Sequence, residues 1–177
     1  MNDSSLPGPS PGLERIFQQH SSKVFASAYR VTGSAQDAED CLQTVFLRLL
    51  RNQGRTDLTP SPGAYLHRAA VNAALDLLRA RSRSRSIPLD EIETPTLGEQ
   101  DDPDRRQHDR EMRRGLRQAI LQLSPKNATI FSMRFLDGTP NREIAESLGM
   151  SQAAVGVALH RARNQVKQEM ASFVGGN

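Results

Sequence analysis

The sequence predicts an all-α protein made of two small helical domains. Through most of the 177 residues, apolar side chains recur at the three- and four-residue spacing of amphipathic helices. No segment shows the alternation of period two that is typical of a strand. Between residues 88 and 108 the composition becomes acidic, includes prolines and has few large apolar residues, as in a flexible linker. We therefore expect one helical domain on each side of that acidic linker.

Three helices are predicted before the linker. Residues 1–12 are rich in Ser, Pro and Gly and are expected to be disordered. A first helix over residues 13–31 has the apolar face Leu13, Ile16, Phe17, His20, Val24 and Ala28. A second helix, over residues 35–52, begins after Ser34 as its N-cap, and a third begins near Pro62. The third helix runs into Arg79, Arg81, Arg83 and Arg85, so the first domain is predicted to span residues 13–87.

Four helices are predicted after the linker, in a second domain over residues 109–174. The fourth helix covers about 110–122 by its apolar spacing. Ser124 followed by a proline predicts the start of the fifth helix, and Asp137-Gly138 its end. Thr139-Pro140 repeats the start signal for the sixth, which Gly149 ends. Ser151 is the predicted N-cap of the last helix, over about 152–170.

Composition excludes several classes of protein. A single cysteine, Cys41, excludes an internal disulfide framework, and the four histidines are scattered, so no metal site is predicted. No apolar run approaches the roughly 20 residues of a membrane span, and residues 1–12 do not resemble a signal peptide. We expect a cytoplasmic protein without membrane insertion. No nucleophile and base set, phosphate-binding glycine loop or cofactor motif occurs, so neither an enzyme nor a cofactor is predicted.

Charge is segregated along the chain although the formal net charge is only +3. Residues 1–87 carry 11 basic and 7 acidic side chains, residues 88–109 carry 2 and 8, and residues 110–177 carry 10 and 5. Two basic blocks therefore flank an acidic strip. Such blocks are compatible with a polyanionic partner or with a merely solvated surface.

Residues 141–160, NREIAESLGMSQAAVGVALH, meet the requirements of a helix-turn-helix. Ala145 is small where the two helices would cross, and Gly149 can adopt the positive φ of the turn. The alternative is an ordinary pair of packed helices. If the motif binds DNA, the last helix lies in the major groove. The candidate contact residues are Ser151, Gln152, Ala153, Gly156, His160, Arg161 and Arg163.

The third helix carries a polar stripe opposite an alanine-rich apolar face. At 100° per residue the stripe residues lie within roughly 80° of one another. They are Tyr65, Arg68, Asn72, Asp76, Arg79 and Arg83. An aromatic ring, an amide and several guanidinium groups can stack on bases, bond base edges and neutralise phosphates. A solvated face with an Asp76–Arg79 ion pair is the alternative. Arg81 and Arg85 point away from the stripe, as diffuse phosphate contacts or solvated charge.

The second helix has polar residues and two leucines opposite its apolar face. This second face contains Gln36, Asp40, Gln43, Leu47 and Leu50. Exposed leucines rimmed by polar groups are typical of a protein docking site. Alternatively, another helix buries both leucines inside the domain.

These features, in this order, resemble the extracytoplasmic-function sigma factors of bacterial RNA polymerase. The matching stretches are DAEDCLQTVFLRLL at 37–50, AYLHRAAVNAALDLLRARSR at 64–83 and residues 116–163. The resemblance implies that the second helix binds the β′ clamp helices of core RNA polymerase, with further contacts to the β subunit. The implied polymerase-binding residues are Asp37, Asp40, Gln43 and Phe46, beside Leu47 and Leu50.

The same resemblance implies the roles of the DNA-binding helices. The third helix would engage the minus-10 promoter element as its strands separate, while the helix-turn-helix would read the duplex minus-35 element. It also implies an anti-sigma factor as a regulatory partner. Promoter recognition, melting and transcription initiation are the expected function, and a stand-alone helix-turn-helix regulator is the alternative.

Two departures from the family pattern concern DNA contacts. Tyr65 stands where the family usually has Trp, and Tyr can still stack on a base. Ala154-Val155-Gly156 stands where Thr-Val-Lys or a similar sequence is usual, which removes a polar group and a cation from the reading helix. Glycine in mid-helix also costs up to about 1 kcal/mol relative to alanine. Either the backbone approaches another group at Gly156, or the position tolerates glycine.

Overall fold

The computed structural model describes residues 11–52, 56, 58, 61–84 and 103–175, and every regular element in those ranges is helical. The all-α prediction is confirmed. The helices are α1 (Pro11–Thr32), α2 (Ala35–Arg51), α3 (Pro62–Ser84), α4 (Pro103–Leu121), α5 (Pro125–Phe131), α6 (Asn141–Leu148) and α7 (Gln152–Gly175). A π-helical turn, Ser132–Leu136, continues α5. Helices α1–α3 form the first domain and α4–α7 the second.

Side-chain caps begin three helices at the predicted positions. The hydroxyl of Ser34 accepts a hydrogen bond from the backbone N–H of Asp37, at 3.2 Å. Ser124 and Ser151 likewise each accept a hydrogen bond from the backbone N–H three residues further along the chain, at 3.4 and 3.1 Å. Each bond satisfies one of the N–H groups that the first turn of a helix leaves without a partner. The helix starts predicted from these serines are confirmed. They are predictable from the sequence because capping is a local interaction.

The fourth helix differs from its prediction. It already begins at Pro103, within the predicted linker, whereas apolar spacing indicated a start near residue 110. Residues 105–110 are all exposed, so this part of α4 has no apolar face for periodicity to detect. The prediction that residues 1–12 are disordered is wrong for Pro11 and Gly12, because α1 begins at Pro11. Residues 1–10, the rest of the linker and Arg85 lie outside the described residues.

The first domain packs α1, α2 and α3 around one apolar core. Val24, Val31, Leu66, Leu75 and Leu78 are among its largest apolar side chains with almost no exposed surface. Phe17 was predicted on the apolar face of the first helix, but its side chain is 44% exposed at the edge of the domain. Helix α3 has a wider buried surface than its alanine face alone, because α5 and α6 of the second domain also contact it.

The second domain places α7 against α4, α5 and α6. Ile130, Met133, Ile144 and Val155 are fully buried at the centre of this domain. Between α5 and α6, the π-helical turn ends at Asp137, and Gly138 follows with a φ of 73°. This irregular backbone positions the carboxylate of Asp137 toward the first domain, an arrangement that helical periodicity does not predict.

Candidate nucleic-acid and polymerase interfaces

Helices α6 and α7 form the helix-turn-helix that the sequence predicts. Ala145, where the helices cross, is 4% exposed, and Ile144 and Val155 are fully buried between them. Gly149 has φ 61° and ψ 40°, the left-handed conformation that glycine adopts without a steric penalty. The N–H of Met150 donates to the carbonyl of Ala145 at 2.9 Å, which closes the turn. The backbone therefore has the geometry that the motif requires.

The start of α7 presents the predicted minus-35 residues to solvent. The exposed members are Ser151, Gln152, Ala153, His160, Arg161 and Arg163, whereas Gly156 is half-buried. Ser151 uses its hydroxyl to cap the helix, and His160 is hydrogen-bonded to Asn164 at 3.2 Å. A Cβ added at Gly156 would meet nothing within 4 Å, so packing inside the protein does not explain this glycine. Val157 is 53% exposed beside it and adds a methyl surface of the kind that contacts thymine.

The polar stripe of α3 remains on one face of the helix. The guanidinium of Arg68 lies 6.0 Å from the centre of the Tyr65 ring, and Arg79 forms an ion pair with Asp76 at 3.5 Å. The carboxylate of Asp76 is exposed, and Arg83 is exposed near the helix end. An aromatic ring, an amide and cationic groups therefore occur together along α3.

The middle of this stripe contacts the second domain. The hydroxyl of Thr129, in α5, donates to Oδ1 of Asn72 at 2.7 Å. The guanidinium of Arg68 donates to the carbonyl of Ser147, in α6. One terminal nitrogen of Arg79 is buried without a hydrogen-bond partner beside the same interface. Sequence reasoning placed these residues on one helix face but did not predict that another domain covers part of that face.

The second face of α2 is largely accessible. Gln36, Asp40 and Gln43 are exposed, Leu47 is 49% exposed, and Leu50 is half-buried. Burial of both leucines inside the domain, the alternative from the sequence, is therefore wrong for Leu47. Phe46 is only 9% exposed, and its ring contacts Phe17 edge to face at 4.8 Å between centroids. Phe17 thus adds apolar surface beside the α2 face. Sequence reasoning placed Phe17 on the apolar face of the first helix and did not assign it to this surface.

Asp37 does not belong to that accessible face. Asp37 is 1% exposed, and its carboxylate accepts two hydrogen bonds from the guanidinium of Arg81. Arg81 was predicted as solvated charge or a diffuse phosphate contact, which is wrong because its ion pair links α3 to the start of α2. The same surroundings act on Cys41, because burial and then the charges of Asp37 and Asp40 raise its pKa to about 12. Cys41 is consequently a packed, protonated thiol.

Asp137 forms a polar cluster that sequence reasoning did not single out. Its side chain is 4% exposed and accepts hydrogen bonds from Ser27, at 3.1 Å, and from Arg30 and His67. All three donors belong to the first domain. Burial favours the neutral carboxyl, but the bonds from His67, Arg30 and Ser27 outweigh burial and hold the pKa of Asp137 below its usual value. At neutral pH the carboxylate is therefore ionised between the two domains.

Within residues 11–52, 61–84 and 103–175, no helix combines the length and apolar composition needed to cross a bilayer. The same ranges contain no group of three or more His, Cys, Asp or Glu side chains arranged to hold a metal ion.

The second domain has a helix-turn-helix with an exposed reading helix, and α3 of the first domain has a cationic and aromatic face. Together these features define a two-domain DNA-binding protein. Residues 16–84 match sigma-70 region 2, and residues 113–166 match sigma-70 region 4. The chain belongs to the extracytoplasmic-function sigma factors of bacterial RNA polymerase. As a member of that family it binds core RNA polymerase and promoter DNA and directs transcription initiation.

Bacterial relatives support this assignment over most of the chain. The RNA polymerase sigma-E factor of Streptomyces avermitilis is 30% identical, over 90% of this chain and 86% of its own length. The ECF RNA polymerase sigma factor SigE of Mycolicibacterium smegmatis is also 30% identical, over 91% of this chain, which spans only 62% of that relative. SigW of Bacillus subtilis is 23% identical, over 92% of this chain and 91% of its own length.

Two solved structures share the fold. Sigma factor RpoE from Bartonella quintana, in complex with the anti-sigma factor NepR, is 17% identical with a TM-score of 0.53, over 92% of this chain and 98% of its own. CnrH, in complex with the cytosolic domain of CnrY, is 19% identical with a TM-score of 0.55, over 93% and 91%.

Proposed function

We propose that initiation by this protein divides among three helices: α2 binds core polymerase, α3 engages the minus-10 element, and α7 reads the minus-35 element. The observation that carries this proposal is the separation of an accessible leucine-containing face, a cationic and aromatic stripe, and an exposed reading helix on different elements. Each surface has a chemistry suited to one partner.

In the proposed minus-35 complex, α7 lies in the major groove with its first turns toward the bases. Gln152 can form two hydrogen bonds with an adenine edge, while Arg161 and Arg163 suit phosphate oxygens. Gly156 contributes no side chain, so fewer base contacts are available than in a helix with a polar residue there. The duplex contact then depends more on phosphates than on bases.

In the proposed minus-10 complex, α3 captures bases that have left the duplex. Tyr65 offers a stacking surface, Asn72 a base-edge partner, and Arg68, Arg79 and Arg83 neutralise phosphates. Unpairing costs only a few kcal/mol per base, so capture of displaced bases can drive melting. Asp76 orients Arg79 without cancelling the charge of the whole stripe.

The proposed polymerase surface contains Asp40, Gln43, Leu47 and Leu50. Phe17 extends its apolar part, and Phe46 supports it from below. Asp37 is left out because its carboxylate is buried against Arg81. Polymerase contacts at both domains, to the β′ clamp helices and to the β subunit, would hold the DNA surfaces at a fixed spacing. That arrangement raises the effective concentration of each surface without new DNA contacts.

Run-off transcription tests the proposal. With core polymerase the purified chain should produce transcripts from selected promoters, and sequencing those promoters gives the two elements. Asp40→Arg with Gln43→Ala should abolish core binding and transcription, whereas the distant surface change Glu169→Gln should change neither. Tight operator binding by a dimer without polymerase would support the stand-alone regulator and contradict the proposal.

The arginines at the end of α3 allow a finer test of the minus-10 assignment. Arg79→Ala should slow promoter opening more than Arg85→Ala, because Arg79 lies on the stripe and Arg85 follows it near the acidic segment. Permanganate reactivity of unpaired thymines measures opening. Equal effects of the two changes would show that the arginines act as an undirected basic tract.

An anti-sigma factor that covers the α2 face is the regulatory partner we propose. The α2 face is apolar, with leucines and an aromatic ring, so such a partner and polymerase would compete to occupy it. Both proteins would then meet in the cytoplasm. We expect a candidate anti-sigma protein to compete with core polymerase for this face. This competition should be lost in the variant that combines Asp40→Arg with Gln43→Ala.

A further inference from the structure

The outward face of α7 has an apolar residue at its centre. The buried side chains of α7 that face the other helices of the second domain are Val155, Leu159, Ala162 and Val166. At 100° per residue, Val157 lies within about 10° of the direction opposite to the middle of this buried set. Its side chain is 53% exposed, and no large apolar side chain among the described residues is more exposed. Val157 therefore points directly away from the core of the domain.

The side chains on the N-terminal side of Val157 are too short to cover it. Ala153 lies about one turn earlier on the same face and is exposed, as is Ala154. Gly156 has no side chain, and a Cβ added there would meet nothing within 4 Å. A surface that approaches this part of α7 can therefore reach the two methyl groups of Val157 without displacing a longer side chain.

Residues 153–159, AAVGVAL, carry no side-chain hydrogen-bond donor or acceptor. This run covers about 10 Å of α7, which corresponds to about three base pairs of B-DNA. Between Gln152 and His160 the side chains of the reading helix can thus contact base edges only through apolar groups. In the major groove, the apolar group that distinguishes one base from the others is the C5 methyl of thymine. The chemistry of this face therefore favours thymine.

The rim of this apolar surface is polar and cationic. His160 and Arg161, both exposed, follow Val157 at the third and fourth positions. Asn164 is hydrogen-bonded to His160 at 3.2 Å. A single exposed valine is common on protein surfaces, but valine has a lower helix propensity than the alanines at the neighbouring exposed positions. A small apolar centre beside a cation suits a DNA groove better than an apolar protein surface.

We propose that Val157 is a specificity-determining residue that recognises the C5 methyl group of a thymine in the minus-35 element. This inference rests on the proposed role of α7 as the reading helix. Ala153 adds one methyl group to the same contact surface, and Gly156 lets the helix backbone beside Val157 approach the bases. Gln152 and Val157 then divide base recognition, since Gln152 bonds an adenine edge and Val157 selects a methyl group.

Removal of single methyl groups from the DNA tests this contact. Promoter fragments selected by run-off transcription are prepared with each thymine of the minus-35 element, on either strand, replaced in turn by deoxyuridine. Deoxyuridine pairs with adenine as thymine does and lacks only the C5 methyl group. For holoenzyme made from the full chain and core polymerase, one replacement should weaken binding about fourfold, as expected for loss of one buried methyl group. Competition between labelled and unlabelled fragments measures binding.

Val157→Ala should remove this discrimination. Its holoenzyme should bind the thymine fragment about fourfold more weakly than wild type does, and it should bind the thymine and deoxyuridine fragments equally. Arg163→Gln is the matched control, because Arg163 is exposed on α7 and is assigned to phosphates. It should weaken binding of both fragments by the same factor and preserve the difference between them. Thermal melts verify that both variants are folded.

The outcomes separate this inference from the proposed function. Equal binding of the thymine fragment and every deoxyuridine fragment by wild-type holoenzyme would overturn the inference. So would a Val157→Ala holoenzyme that prefers thymine to the same extent as wild type. A fragment with a scrambled minus-35 element tests the proposed role of α7. Unchanged binding of that fragment would overturn both proposals, whereas weaker binding of it without methyl discrimination would overturn only the role of Val157.

Discussion

The ion pair between Asp37 and Arg81 shows that the role of a residue in the folded chain can differ from the role that its local sequence suggests. In the sequence, Arg81 is one of four arginines at alternate positions, and Asp37 is an acidic residue in the first turn of a helix. Both patterns have local explanations, a basic tract and a favourable helix start. In the structure the two side chains join α3 to α2 over a buried carboxylate. Local patterns could not identify this pairing, because the partners are distant in sequence.

We predict that Arg81→Ala lowers the free energy of unfolding by roughly 2 to 4 kcal/mol, because it leaves the buried carboxylate of Asp37 without its cation. Chemical denaturation monitored by circular dichroism measures this change. Arg83→Ala, an exposed neighbour in the same arginine run, is the matched control and should stay within about 0.5 kcal/mol of wild type. Equal effects of the two substitutions would contradict the structural role of Arg81.

Asp137 should make the stability of the protein depend on pH. Its pKa is lowered in the folded chain, so its contribution is complete above the unfolded-state pKa and disappears as pH falls through the lowered value. The difference in unfolding free energy between wild type and Asp137→Asn should therefore shrink as pH falls below about pH 4. Denaturation curves across this range provide the measurement. A difference that grows on acidification would contradict the assignment.

Among the helices, those with a buried apolar face and a side-chain cap were predicted well. The starts after Ser34, Ser124 and Ser151 and the turn at Gly149 each depend on interactions within a few residues. The first turns of α4 were missed because residues 105–110 are exposed and carry no apolar stripe. The π-helical turn before Asp137 was also missed, since an inserted residue in a helix has no distinctive composition.

The reading helix α7 provides a prediction at Gly156. Gly156→Ala should raise the unfolding free energy by up to about 1 kcal/mol, because the added methyl group meets open space and alanine favours the helix. Thermal or chemical denaturation measures it, with Ala153→Gly as a control that should shift stability in the opposite direction. Minus-35 duplex binding of Gly156→Ala, measured alongside, distinguishes a tolerated glycine from one that allows close approach of DNA. A loss of stability would contradict the open space around this position.

At the scale of the whole molecule, the two domains meet through Asp137, through Thr129 and Asn72, and through Arg117. Contacts between domains of one chain resemble transient protein interfaces, so relative motion of the domains is expected.

The sequence by itself determined the all-α class, the order of the helices, the helix-turn-helix and the residues that share each helix face. These features follow from spacing, capping and turn chemistry, which act over a few residues. Only the tertiary structure decided that Asp37 is buried under Arg81, that Phe17 is exposed beside α2, and that Thr129 and Ser147 occupy Asn72 and Arg68. Pairing and burial of a side chain depend on groups brought close by folding, and helical periodicity does not record which distant surface covers a given face.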